Sequence, residues 1–457
     1  MTLLVHGLCC MLGFASWVAI NAIWVQLPLM VSVLPEGWLL PSYLTLIIQV
    51  ANVGPLAVAL LNRFRPGLLK EVNVIYAILG VGLLSCLLLS VFWNATLTVG
   101  GELRSLPLLV LTFFLAIVDC TSSVTFLPFM LRLRAHYLPT YFLGEGLSGL
   151  IPSLLALAQG TSQVKCVNST FWNGTTTEGT IQPSYQMHAV YQEPLFSTSV
   201  FFLLLVGMLF GSFFSFTLLD RLPLAHLQYS PEGRIAIAAP SSDSKRPSTV
   251  EVQPIGEFDI QETSSMGELT TELGTNSRVS YIGLSTVRYT VALLLVFWAN
   301  SLTNGVLPSV QAYSSLPYGE MAYHLVAALG AMANPMVCFV PKFFACRSQV
   351  ILAAMTLIGT AFGCCILAMA ALSPCPLLVN TGMGVFLIVL FWVLFTGILT
   401  YVKVMVGLVL RQEGRMAMLW CGGVEQVGSA VGAFVMFPLI NIYQIFTSGD
   451  PCTTVCH

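Results

Sequence analysis

Charge is what this chain has least of. Asp, Glu, Lys and Arg make up 8% of its 457 residues, against about 25% in a soluble globular domain. That scarcity excludes an ordinary water-facing surface. The net charge of −2 gives no sign of a nucleic-acid partner. There is no Walker A phosphate loop, no nucleophile elbow and no His-Glu-x-x-His, so ATP-driven work and the common hydrolytic mechanisms find no support. No Cys/His spacing suggests zinc or another metal. A cleavable signal is also missing. The first apolar run outlasts a signal core, lacks a basic stretch before it, and reads as a retained helix.

What is present is apolar. Hydrophobic residues make up 56% of the chain, and the mean hydropathy is +0.84. Apolar runs fall at 5–33, 41–62, 73–93, 106–131, 139–160, 197–219, 286–310, 319–341, 348–371, 383–409 and 416–444. Each is long enough for a membrane helix of about 20 residues. The expected fold is an all-α polytopic membrane protein with eleven transmembrane helices.

Orientation follows from the cations. With the N-terminus in the cytoplasm, fifteen of the eighteen Lys and Arg fall inside, Arg104 and Lys165 fall outside, and Lys403 lies within a helix. Three N-glycosylation sequons, at Asn94, Asn168 and Asn173, then lie in outer loops. The C-terminus is expected outside.

Residues 221–285 differ in kind: Pro, Ser, Thr, Asp and Glu dominate, as in a disordered cytoplasmic linker. The linker divides the chain into a six-helix bundle (1–220) and a five-helix bundle (286–444), followed by an extracellular tail (445–457). A six-plus-five, major-facilitator-like pair of bundles fits, with a site at the midplane between them.

Polar residues inside hydrocarbon are costly and usually face a cavity, a partner or a ligand. Helix 1 places Trp17, Asn21 and Trp24 on one face, with Gln26 nearby. Two indoles and an amide suit a flat ligand with polar edges, or else anchor and glue helices. Helix 7 stacks Asn300 on Asn304, with Gln311 and Tyr313 at its outer end, for a ligand or for neighbouring helices. Asp119 precedes Ser122 in helix 4 and Glu145 lies in helix 5; each is a candidate proton carrier, gate or structural partner. Pairing with Arg132 or Arg134 would make Glu145 a gate lock. His324 and Lys403 are the other ionisable candidates, as a pH-sensing or packed histidine and as a snorkelling or paired lysine. Gly428 and Gly432 form a close-packing spacing. Cys166, Cys375, Cys452 and Cys456 lie in outer segments, where disulfides persist, and Cys375 is expected to pair with Cys452 or Cys456.

Several stretches resemble the vertebrate riboflavin transporters, solute carrier family 52, and in particular the third type. They are Trp24-Val-Gln-Leu-Pro28, Leu34-Pro-Glu-Gly-Trp38, Leu40-Pro-Ser-Tyr43 and the segment from Asp119 to Pro128. Further ones are Gly144 to Gly149, Leu302 to Pro308, Ala322-Tyr-His-Leu325, Ser373-Pro-Cys-Pro376 and Tyr401-Val-Lys-Val404. Segments 161–195 and 221–285 match poorly. The family usually carries Glu where this chain has Gln26, which implies weaker pH sensitivity or another acid. The resemblance implies sodium-independent riboflavin uptake at the plasma membrane, with riboflavin as substrate, the bilayer as surroundings and no cofactor. A nucleoside carrier is the nearest rival, and a cell-surface receptor with functional outer loops is another.

Overall fold

The computed structural model describes residues 2–65, 70–130, 132–160, 164–172, 183–191, 194–229, 286–338, 340–344, 346–413, 415–449, 452, 454 and 456. Among the described residues ten helices are long and apolar enough to cross a membrane, and a bent pair supplies an eleventh span. Spans 1 to 6 are Thr2–Phe14 with Val18–Val31, Gly37–Leu61, Glu71–Phe92, Leu106–Met130, Leu138–Gln159 and Thr198–Arg221. Spans 7 to 11 are Thr286–Ser309, Glu320–Cys338, Gln349–Ala371, Gly382–Gln412 and Arg415–Asn441. Two antiparallel hairpins stand in the loops: β1 (Leu97–Val99) with β2 (Glu102–Arg104), and β3 (Val164–Trp172) with β4 (Pro183–Tyr191).

Span 1 is not the continuous helix its apolar run suggests. It bends by 53° between Phe14 and Val18. No proline sits at this break, so the cause lies in packing. Just below it, span 1 presses backbone to backbone on span 5. A Cβ on Gly13 would lie 2.0 Å from the Tyr141 carbonyl oxygen, and one on Gly144 would lie 1.9 Å from that of Cys10. The inner half of span 1 is thus held against span 5.

The first half packs around Phe126, Phe129, Phe201, Phe202 and Phe216, all fully buried. In the second half one cluster gathers around Leu307, Ile388 and Phe395 and another around Val402, Met405 and Leu410. The linker expected from 221 begins later. Residues 223–226 form a helical turn, and Tyr229 bridges to Leu133, so this stretch belongs to the first half. Its physical anchor is the Tyr229 hydroxyl, which donates to the Leu219 carbonyl at 3.2 Å. The rest of the expected linker, 230–285, lies outside the described residues.

The halves meet at several levels. Trp38 meets Tyr313 edge-on at 5.6 Å, Tyr43 meets Phe437 at 5.3 Å, and the Asn441 amide donates to the Ser42 hydroxyl at 2.9 Å. Deeper, spans 5 and 8 touch, where a Cβ on Gly149 would lie 3.3 Å from the Ala331 carbonyl oxygen.

Among the described residues two disulfides hold the C-terminal tail. Cys375 pairs with Cys456 and Cys166 with Cys452. The first ties the tail to the loop between spans 9 and 10. The second joins that tail to the β3–β4 hairpin of the first half. Ser373 and Thr447 exchange two hydrogen bonds beside it, with Ser373 Oγ 2.7 Å from the Thr447 carbonyl oxygen.

Candidate functional site

The break in span 1 exposes backbone polar groups that the helix no longer satisfies, and unsatisfied groups are expensive away from water. Span 4 supplies what is missing. Asp119 Oδ2 accepts from the Ile20 backbone N–H at 3.0 Å, and the Ser122 hydroxyl reaches the Ser16 carbonyl oxygen at 3.1 Å. Both side chains are fully buried. Asp119 and Ser122 are three residues apart, so one face of span 4 meets both sides of the break. Ser122 is therefore a support of the broken backbone in this structure, and Asp119 is anchored to it.

Trp17 sits at the break and caps the outer half of span 1, and its carbonyl still accepts from the Asn21 N–H at 3.1 Å. It does not continue a single helical face from the inner half, because the turn before it is broken. Asn21 and Trp24 remain neighbours on the outer half, and both are half-buried. The Asn21 amide donates to the Ser148 hydroxyl of span 5 at 3.3 Å. A Cβ on Gly149 would lie 3.6 Å from that amide, so Asn21 sits beside the contact with span 8.

Gln26 is placed elsewhere. It is fully buried, its Nε2 donates to Gln159 Oε1 at 2.5 Å, and Gln159 in turn donates to the Phe196 carbonyl at 2.8 Å. These partners tie spans 1 and 5 to the segment before span 6. Gln26 thus spends its donor inside the first half rather than on a cavity.

Span 7 handles its amides differently. Residues 301–306 form a π-helical stretch, a feature often found at functional sites. Across it the Asn304 amide donates to Asn300 Oδ1 at 3.0 Å and to Ser429 Oγ of span 11 at 3.2 Å. Asn300 is buried and donates to the Val296 carbonyl at 2.9 Å, while Asn304 stays exposed. Glycines let span 11 approach: a Cβ on Gly432 would lie 2.4 Å from the Ser301 carbonyl oxygen, and one on Gly428 equally near that of Phe297. The Gly428/Gly432 spacing therefore does serve close packing.

Gln311 and Tyr313 do not belong to span 7. They occupy a separate short helix, Gln311–Ser315, beyond Val310. Tyr313 lies between Trp38 and Phe446, with centroids 5.6 Å from each, in the outer contact of the halves.

The ionisable candidates separate. Arg132 pairs with Glu71 at 2.5 Å, not with Glu145. Glu71 starts span 3 level with Arg132 at the inner face, whereas Glu145 lies two turns inside span 5. Lys403 donates to the Thr303 hydroxyl at 3.0 Å, linking span 10 to the π-helical stretch. His324 is buried beside the Ala156 backbone, and its Nε2 has no partner among the described residues. Asn94 is exposed after span 3, Asn168 lies on β3, and Asn173 falls outside the described residues. No group of three or more His, Cys, Asp or Glu that could hold a metal occurs among the described residues.

Sequence reasoning missed Ser148, Gln159, Thr303 and Ser429, the partners of the amides and the lysine. Their one visible signal is a hydroxyl or amide in an apolar run, which many unremarkable positions share.

A model of solute carrier family 52, riboflavin transporter, matches residues 1–448. The chain belongs to that family. It is 48% identical to zebrafish (Danio rerio) riboflavin transporter member 3-B over 466 residues, covering all of both chains. It is 44% identical to human (Homo sapiens) member 3 over 478 residues, again covering both chains entirely. Identity to human member 2 is 39%, over 99% of this chain and 97% of that protein. Among solved structures it resembles the nucleoside transporter NupG, with a TM-score of 0.52 and 10% identity over 96% of this chain and 91% of that one. A D-xylose–proton symporter gives 0.52 at 11% identity over 97% and 90%. At such low identity these structures support the transporter fold alone. The chain is a multi-pass membrane transporter of the riboflavin family.

Proposed function

We propose that this chain takes up riboflavin across the plasma membrane by alternating access, without sodium. Its N-terminus is cytoplasmic, its C-terminus is extracellular, and riboflavin is substrate rather than cofactor. The observation that carries the reading is the full-length identity of 44–49% to proteins named as member 3 of the riboflavin transporters. Chemistry supports it. Riboflavin is flat and uncharged at neutral pH, with a hydroxylated ribityl tail. Indoles can cover its ring, and amides can bond its edge and tail.

The substrate site lies between the halves, at the break of span 1 and the π-helical stretch of span 7. Trp17, Asn21 and Trp24 face it from the first half, and Asn300 and Asn304 from the second. Support comes from the irregular backbone at both places, a common way of building transporter sites. Lys403, Glu145 and His324 are candidates for proton or gate roles. Residues 230–285 act as the linker between the halves, and Asn94, Asn168 and Asn173 as glycan acceptors.

Uptake of labelled riboflavin by cells expressing the chain tests the reading. Competition by lumiflavin, with none by uridine and no sodium requirement, is the expected result. Uptake blocked by uridine would favour a nucleoside carrier, and binding without uptake would favour a receptor.

A further inference from the structure

Asp119, a candidate proton carrier, gate or structural partner, spends one carboxyl oxygen on backbone, and Ser122 spends its hydroxyl there too. Asp119 Oδ2 holds the third N–H of the outer helix of span 1, at Ile20. Ser122 Oγ sits 3.1 Å from the carbonyl oxygen of Ser16, the residue before Trp17, and 2.6 Å from that of Asp119 itself. A helix start leaves such N–H groups without internal partners, and in hydrocarbon no water replaces them. Here the partner comes from a residue 99 positions away, so the break is fixed by tertiary structure. Trp17 directly follows the held Ser16 carbonyl, and Asn21 directly follows Ile20.

The remaining carboxyl oxygen, Asp119 Oδ1, is buried without a partner among the described residues. An orphaned buried acceptor is costly.

We propose that Asp119 and Ser122 are positioning residues for riboflavin. They clamp the broken backbone of span 1 so that Trp17 and Asn21 present an indole face and an amide at fixed angles. This rests on the reading that the substrate site lies at the break. The required property of Asp119 is an accepting oxygen, not a charge.

The test uses the purified full-length chain in detergent. It reads riboflavin affinity and the quenching of flavin fluorescence by a stacked indole, alongside KM and maximal uptake per surface copy in cells. Asp119→Leu should weaken binding and raise KM about tenfold, relieve quenching, and leave maximal uptake per copy within about twofold. Asp119→Asn keeps an oxygen for Ile20 and should stay within about threefold of wild type. Ser122→Ala should weaken binding by less than Asp119→Leu. If Asp119→Asn is as weak as Asp119→Leu, the carboxylate acts through charge or proton and the positioning role is overturned. Wild-type affinity and quenching in Asp119→Leu overturn it too. Should Asp119→Leu not fold, Ser122→Ala decides: weaker binding supports the clamp, and wild-type binding overturns it. Trp17→Phe and Asn21→Ala examine the site beneath. If both bind like wild type, the site is not at the break and the clamp has nothing to position. If they weaken binding while Asp119→Leu and Ser122→Ala do not, the positioning role alone falls.

Discussion

The first spans of the two halves solve one problem in two ways. Span 1 breaks, and side chains from span 4, Asp119 and Ser122, bond the freed backbone. Span 7 does not break. It widens into a π-helical stretch over Ser301–Val306 and bonds its own amides along the chain, Asn304 to Asn300 and Asn300 to Val296. The broken span takes partners for its backbone from a distant span, while the widened span bonds its amides partly along its own chain and partly to Ser429 of span 11, with Lys403 of span 10 on Thr303.

The largest effect is expected where backbones touch. Gly144→Val puts a side chain where even a Cβ would lie 1.9 Å from the Cys10 carbonyl oxygen. Backbone cannot yield as a flexible side chain does, so the cost should reach about 3 kcal/mol or more. Surface delivery should be lost, and thermal unfolding of any purified protein should fall. Gly432→Val meets the Ser301 carbonyl oxygen at 2.4 Å and should be damaging but less so. If both variants reach the surface at wild-type level, the close approaches are not needed in either half.

The outer disulfides come next. Cys375→Ser frees the tail from the loop between spans 9 and 10, within the second half. Losing a native bridge costs about 2–5 kcal/mol in small secreted domains, and an effect at the lower end is expected in a membrane-held chain. Cys166→Ser cuts the covalent link from the first half to the tail. It should lower stability at least as much, because that bridge closes a loop of 286 positions against 81, and the Ser373–Thr447 exchange backs up the Cys375 link rather than the link to the first half. Alkylation of the unreduced protein checks the pairing: free thiol at Cys166 or Cys375 would contradict it.

Much of this architecture was legible, for definite reasons. Each span is a long apolar run with few charges, a signal that needs no partner to be read. The outer cysteines could be listed from orientation, and Cys375 was correctly joined to the tail. The partner of Cys166 was not legible, because four outer cysteines allow several pairings. The break at Ser16 and Trp17 was hidden for a related reason. No proline marks it, and the atoms that hold it belong to span 4. Gln26 looked available until Gln159, 133 positions on, proved to occupy its donor. Glu145 looked near Arg132 in sequence, yet helix geometry puts Glu71 opposite that arginine.

At the site the comparison sharpens to two amides. Asn21 loses one bond on truncation, to Ser148, and Asn304 loses two, to Asn300 and Ser429. Asn21→Ala and Asn304→Ala should each raise KM for riboflavin by roughly 5- to 150-fold, the equivalent of about 1–3 kcal/mol from an unpaired polar group. Surface levels should stay near normal, since neither side chain is fully buried. Asn300→Ala strips the inner partner from Asn304 and should act in the same direction. Unchanged KM and rate in both Asn21→Ala and Asn304→Ala would move the site away from the two irregular spans.

The smallest effect is expected at the inner face, where Arg132 joins Glu71. The pair connects spans 3 and 4 within the first half, and about a third of each side chain remains exposed. Water and salt screen such a pair, so its net contribution should fall within about 0.2–1 kcal/mol. Glu71→Gln keeps a hydrogen-bond acceptor for the guanidinium and should shift thermal unfolding only slightly. In the second half the Tyr401 hydroxyl donates to the Phe344 carbonyl at 2.6 Å and accepts from the Cys346 N–H at 3.2 Å. Tyr401 is buried and its two bonds are neutral, so Tyr401→Phe should cost more than Glu71→Gln and should not respond to salt. Unfolding measured in low and high salt separates them. A salt-sensitive loss in Glu71→Gln beyond about 2 kcal/mol would mean that Arg132 is held by more than one surface pair.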